Sequence, residues 1–114
     1  MRVLVCGGRD FNNVAFIWSK LDQLHAETPF TALIQGGQTG ADEIASEWVK
    51  TKPEITPYSC KADWDRYGRA AGPMRNMRML EFRPHLVVAF PGNRRTTDMK
   101  KRARAANIKV IEFS

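Results

Sequence analysis

The 114 residues contain no run of some 18 uncharged apolar positions, so no segment reads as a membrane span. Arg2 is followed by only four apolar or small residues before Gly7, too few for a signal-peptide core, and a cytoplasmic location is expected. Cysteine is scarce: Cys6 and Cys60 each close an apolar run, and neither has a histidine nearby. That excludes a metal-ligand set, and no cofactor is expected. Internal repeats, linkers and low-complexity tracts are missing, which leaves one domain over 1–114. No Gly-Lys-Ser/Thr closes a four-residue gap, and Gly36-Gly37-Gln38-Thr39-Gly40 lacks the spacing of the dinucleotide fingerprint, so neither familiar phosphate motif is here.

What remains is a regular alternation. Val3–Cys6 reads as a buried strand closed by Gly7-Gly8, and a helix follows with Val14, Ile17, Trp18, Leu21 and Leu24 on one stripe. Thr31–Gln35 is a second strand, closed by Gly36-Gly37. Thr39 is placed to cap the next helix, with Ala41, Ile44, Ala45, Trp48 and Val49 inward. Ile55–Cys60 is a strand that Pro57 assigns to an edge. Lys61–Gly72 reads as a long irregular connection, a kind that often carries function. Pro73 suits the first turn of a helix whose apolar face would be Met74, Met77 and Leu80. His85–Phe90, a helix over about Thr96–Ala106 and the strand Ile108–Phe113 complete the chain. Strands joined by crossover helices predict an α/β Rossmann-like three-layer sandwich of five mainly parallel strands.

In such sheets ligands bind beyond the carboxyl ends of the strands. Three of those ends carry glycine, at Gly7-Gly8, Gly36-Gly37 and Gly92, where backbone can approach a phosphate closely. The polar neighbours are Arg9 and Asp10, then Thr39 and Asp42, then Thr96, Thr97 and Asp98. Arginine and threonine suit phosphate oxygens, and a carboxylate suits ribose hydroxyls. Helix capping is the alternative reading for Thr39 and Thr96, and dipole complementarity for Asp42 and Asp98. Within Asp63–Gly68, Trp64 or Tyr67 could stack on a base, or simply pin the loop. Arg75, in a first turn, is better placed than Arg78 to reach a phosphate.

Taken together, Val3–Phe11, Gly36–Asp42, Ala62-Asp63-Trp64 with Tyr67-Gly68, Ala71–Asn76 and Ala89–Gly92 resemble the small YspA/YpsA-related proteins of the SLOG family, a group often known only as a domain of unknown function. The resemblance runs along nearly the whole chain in order. It implies a Rossmann-like fold that binds nucleotides or their derivatives, an oligomeric state, and an origin in bacteria or phages, often near conflict systems. Its ligand residues would be Gly7, Gly8, Arg9, Asp10, Gly36, Gly37, Thr39, Gly40, Asp42, Asp63, Trp64, Tyr67, Arg75, Asn76, Pro91, Gly92, Thr96 and Thr97. The wider superfamily includes phosphoribohydrolases with a Pro-Gly-Gly-x-Gly-Thr-x-x-Glu motif and an arginine on the preceding helix. Pro91, Gly92 and Thr96 match it and Arg75 falls where that arginine would be, but Asn93 and Arg95 replace glycines and Met99 stands in place of the glutamate.

Three functions stay open. The first is a sensor or sequestering protein for a nucleotide-like small molecule. The second is a hydrolase of an N-glycosidic or phosphate bond, with Arg75, Asp98 and Asp63 as catalytic candidates and Asp42 as a further carboxylate. The third, single-stranded nucleic-acid binding, rests on charge. Residues 1–60 hold five basic and seven acidic groups, whereas 61–114 hold thirteen and five, and Arg94, Arg95, Lys100, Lys101, Arg102 and Arg104 cluster. Aromatics are not interleaved with that cluster. A homo-oligomer is expected; Met74, Met77 and Met79 could supply part of an interface, although ordinary core packing is favoured for Met74 and Met77.

Overall fold

The computed structural model describes residues 1–114. Five strands form one parallel sheet: β1 (Arg2–Cys6), β2 (Ala32–Gln35), β3 (Thr56–Ser59), β4 (Leu86–Ala89) and β5 (Lys109–Glu112). Their spatial order is β3-β2-β1-β4-β5, so the chain builds outward from β1 to one side and then returns to the other. β1, β2 and β4 are the unbroken apolar runs, and these sit in the middle, where both faces are covered.

Helices cover both faces. On one, α1 (Val14–Glu27) and α2 (Ala41–Val49) pack Ile17, Leu21, Ile44 and Trp48 onto Val3, Val5, Leu33 and Val88. On the other, α4 (Ala71–Leu80) and α5 (Arg94–Ala105) bring Met79, Met99 and Ala103 onto Leu4, Ile34 and Val87. Between β3 and α4 lie a single turn, α3 (Trp64–Tyr67), and a 3-10 turn over Gly68–Ala70. This is the Rossmann-like three-layer α/β sandwich that the strand–helix alternation predicts.

The structure corrects three local expectations. Residues 64–72 are not irregular: Asp63 caps α3 by accepting from the Arg66 amide, and the helical turns run on into α4. Of Met74, Met77 and Leu80, helix α4 packs only Leu80 against the apolar core, and that one only in part. Its buried face is Ala71, Gly72, Arg75, Asn76 and Met79, while Met77 is 51% exposed. Apolar periodicity misplaced that face because the true inner face is small and polar, and its polar groups are satisfied by partners far away in sequence. Finally, Thr39 caps nothing: α2 starts from Gly40, and the Thr39 hydroxyl donates to the Arg9 carbonyl.

β3 is an edge, as Pro57 indicated. The amides of Thr56 and Cys60 donate inward to the carbonyls of Thr31 and Gln35. Alternation therefore turns positions 57 and 59 outward, and proline occupies a place where no inward donor is needed. No helix is long and apolar enough to cross a membrane.

Candidate functional site

The strand order reverses at the β1–β4 pair, and the carboxyl ends of β1, β2 and β4 meet there. The segments leaving these strands are welded together through backbone. The Gly8 amide donates to the Pro91 carbonyl at 2.7 Å, and the Gly8 carbonyl accepts from Phe11 and Ala41. Gly40, at φ 77° and ψ −132°, lies against the carbonyls of Gly8 and Arg9, in a conformation and at a distance that leave no room for a Cβ. Gly92 is packed just as tightly against Thr96 and the Gly8 amide. Much of the glycine content at these ends thus serves the close approach of three backbone segments to one another.

Residues 36–40 form a loop held from behind at four points. Arg75 Nη1 donates to the Gly36 carbonyl at 2.9 Å. The Gly37 amide donates to Gln35 Oε1 at 2.6 Å, the Gln38 amide to Asp42 Oδ2 at 3.4 Å, and Thr39 Oγ1 to the Arg9 carbonyl at 3.2 Å. Both Asp42 and Arg75 are buried, 4% and 3% exposed, and they line a gap of only about 10 Å³ beneath the loop. Burial lifts the Asp42 carboxyl from an ordinary 3.8 to about 6, against the pull of the Arg75 charge and of the Gln38 and Gly36 amides. Burial also presses Arg75 down, with the Asp42 charge opposing. Cys6, in the same gap, is pushed up to about 12, chiefly by burial and next by Asp42, which favours the neutral thiol.

A relay of hydrogen bonds continues from this floor. Arg75 Nε donates to Asn76 Oδ1, and Asn76 Nδ2 donates to the Arg95 carbonyl and to Asp98 Oδ2, which also accepts from Arg102 Nε at 2.8 Å. The glycine end of β2 is thereby tied through α4 to the first turn of α5, and the backbone that carries Arg95 is fixed.

Above the floor lie two clefts. The first, about 520 Å³, is bounded by Arg9, Gly37, Gln38, Thr39, Trp64 and Arg95. The second, about 790 Å³, is bounded by Trp64, Arg69, Pro73, Arg94, Arg95 and Asp98, together with Gly68 and Asn93. The Arg95 guanidinium stacks 4.4 Å from the centroid of the Trp64 ring, which is 41% exposed. Gly72 leaves the space that the Arg95 side chain fills. Arg9, Arg69, Arg94 and Arg95 make no ion pair.

The sequence candidates separate into groups. Arg9, Gly37, Thr39 and Trp64 face the first cleft. Gly7, Gly8, Gly36, Gly40, Asp42, Arg75, Asn76, Pro91, Gly92 and Thr96 make its floor and supports, with Thr96 itself buried. Asp10 and Thr97 are exposed, and Tyr67 sits beneath the Arg66 guanidinium. Of the catalytic candidates, Asp63 is a helix cap, Asp98 is engaged by Arg102 and Asn76, and Arg75 holds a loop carbonyl. Met99 is 1% exposed in the apolar layer under α5. The basic cluster is partly neutralised, since Lys100 and Arg104 both pair with Glu112 and Arg102 pairs with Asp98. Sequence reasoning passed over Gln35, Gln38 and Arg69. A glutamine closing an apolar strand is the one signal that pointed to Gln35.

The family described as "YspA, cpYpsA-related SLOG family" matches residues 1–67, which carry β1, β2, β3 and the Trp64 turn. The chain is also 34% identical over 119 aligned positions to the "Gene 61 protein" of Mycobacterium phage D29, covering 98% of this chain and 95% of that protein.

Proposed function

Because the chain belongs to the YspA, cpYpsA-related SLOG family, we propose that it binds a nucleotide or nucleotide-derived small molecule at the strand-reversal point, as a sensor or sequestering protein. One observation carries the reading: the first cleft combines a pinned Gly-Gly-Gln-Thr loop, the unpaired guanidinium of Arg9 and the exposed ring of Trp64. Arg9 would take the phosphate as a bidentate partner, and free loop hydrogen-bonding groups would add to it. Trp64 would offer a face to the base, a contact worth about 1–3 kcal/mol. Gln35, Asp42 and Arg75 act from behind as positioning residues, because they hold the loop in shape before the ligand arrives and so lower the ordering cost of binding.

The hydrolase reading draws less support. Its candidate carboxylates Asp63 and Asp98 are occupied in caps and ion pairs, and a thioether at position 99 can neither donate nor accept a catalytic proton.

The test is calorimetric titration with the four nucleoside 5′-monophosphates. Saturable binding by at least one, weakened by Arg9→Ala and Trp64→Ala, is the expected result. Absence of binding by all four at millimolar concentration would refute the reading.

A further inference from the structure

The two clefts share one wall, the Trp64–Arg95 stack. Each has the volume of a complete small-molecule site, roughly 300–1,000 Å³. Each also has its own uncommitted cations: Arg9 in the first, Arg69 and Arg94 in the second, with Arg95 between them. Asp98, the acidic group of the second cleft, already accepts from Arg102 and Asn76, so the free charge there is positive. A mononucleotide carries one anionic group and fills one such cleft. Two basic clefts on either side of an aromatic–guanidinium stack ask for two phosphates with a planar group between them. The family match ends at residue 67, and Arg69, Arg94 and Arg95 lie beyond it, so the second cleft is built largely from residues outside the matched segment.

Resting on the nucleotide reading above, we infer that the ligand consists of two nucleoside monophosphate units joined by a phosphodiester, one unit in each cleft. The terminal phosphate meets Arg9, one base lies against Trp64, and the linking phosphate passes Arg95 to meet Arg69 and Arg94 in the second cleft. A free dinucleotide and the last two residues of a single strand share this chemistry.

The experiment titrates the intact chain with the four nucleoside 5′-monophosphates, the four 5′-phosphorylated homodinucleotides and longer homopolymer strands. It is repeated on the Arg69→Glu/Arg94→Glu double variant, whose two side chains are exposed and unpaired, and a thermal melt checks the fold of that variant. The expected result is a dinucleotide binding at least about tenfold more tightly than its mononucleotide, with this gain lost in the double variant while mononucleotide affinity stays. A long strand that binds no more tightly than the dinucleotide supports the proposal with a free dinucleotide as ligand. One that binds more tightly, with a steep salt dependence abolished by the double variant, supports it with a strand end. Mononucleotide binding with no dinucleotide gain, or a gain that survives the charge reversal, overturns the inference and leaves the nucleotide reading standing. Failure of both ligand sets removes both.

Discussion

Replacing Asp42 with asparagine takes away a charge that the folded chain holds out of water. The carboxyl is 4% exposed and its pKa stands at about 6 rather than 3.8. The folded state therefore binds a proton more tightly than the unfolded state, and stability falls as pH rises between these two values. Below pH 3.8 the group is protonated in both states and costs nothing, whereas above pH 6 the full penalty applies. A displacement of about two pH units at 1.36 kcal/mol each amounts to about 3 kcal/mol. The attraction of Arg75 is already contained in that displaced pKa, so the figure is net of it. The amide that replaces the carboxylate keeps an oxygen for the Gln38 amide and carries no charge. At pH 8 the Asp42→Asn variant should be more stable than the parent by up to about 3 kcal/mol, which shifts the urea midpoint by up to about 2 M at an m-value near 1.5 kcal/mol per M. At pH 4 the two midpoints should nearly coincide. Glu112, held low by hydrogen bonds from Lys100 and Arg104, and Glu54, held low by its own backbone amide and then by His25, add acid sensitivity of the opposite sign. That sensitivity is common to both proteins and cancels in the difference. A variant less stable than the parent at pH 8, or a difference that does not change between pH 4 and pH 8, refutes the reasoning.

Three further outcomes follow from the same structure. Met99→Glu, which restores the residue of the phosphoribohydrolase motif, buries a carboxylate among Leu4, Met79 and Val87 and should cost at least about 3 kcal/mol at pH 7, measured by urea unfolding, without creating nucleotide hydrolysis. Gly40→Ala forces a Cβ into a φ/ψ region that glycine almost alone occupies and against neighbouring carbonyls; a loss of about 1–3 kcal/mol or more is expected in the same assay. Trp64→Ala, which removes a half-buried ring and its Arg95 stack, should lower stability by about 1–2 kcal/mol in urea unfolding and leave the chain folded, yet weaken nucleoside monophosphate binding by about tenfold or more in calorimetry.

The fold was legible because its signals are local. The apolar runs of β1, β2 and β4, the glycines closing them and the stripe on α1 can each be read within a dozen residues. The region between β3 and β4 resisted for the opposite reason. Arg75 and Asn76 look like surface polar residues of an amphipathic helix, and their partners, the Gly36 and Arg95 carbonyls, stand 39 and 19 positions away. Composition also pointed to a set of residues at the glycine ends without dividing them by task. Arg9 and Trp64 face open space, whereas Asp42, Arg75 and Thr96, chemically as suited to a ligand, are spent on holding the loop and the α5 turn. Such a division depends on which side of a backbone a side chain emerges, and no residue type encodes that. The buried position of Met99 shows the same limit: its mismatch with a catalytic motif was visible in the sequence, but not that the position faces the apolar layer.

Pro57 bears on how this protein behaves when crowded. An edge strand normally presents a row of amide donors that a neighbouring chain can extend, which is how many sheets stack into aggregates. Within β3 the outward-facing positions are 57 and 59, and the first has no hydrogen to give. A second copy approaching this edge finds one amide in place of two and a rigid ring at the point of contact. Growth of the sheet on the β3 side is thereby weakened, and an assembly that meets there leans more on side chains, where shape and charge, rather than generic backbone pairing, decide which molecules fit.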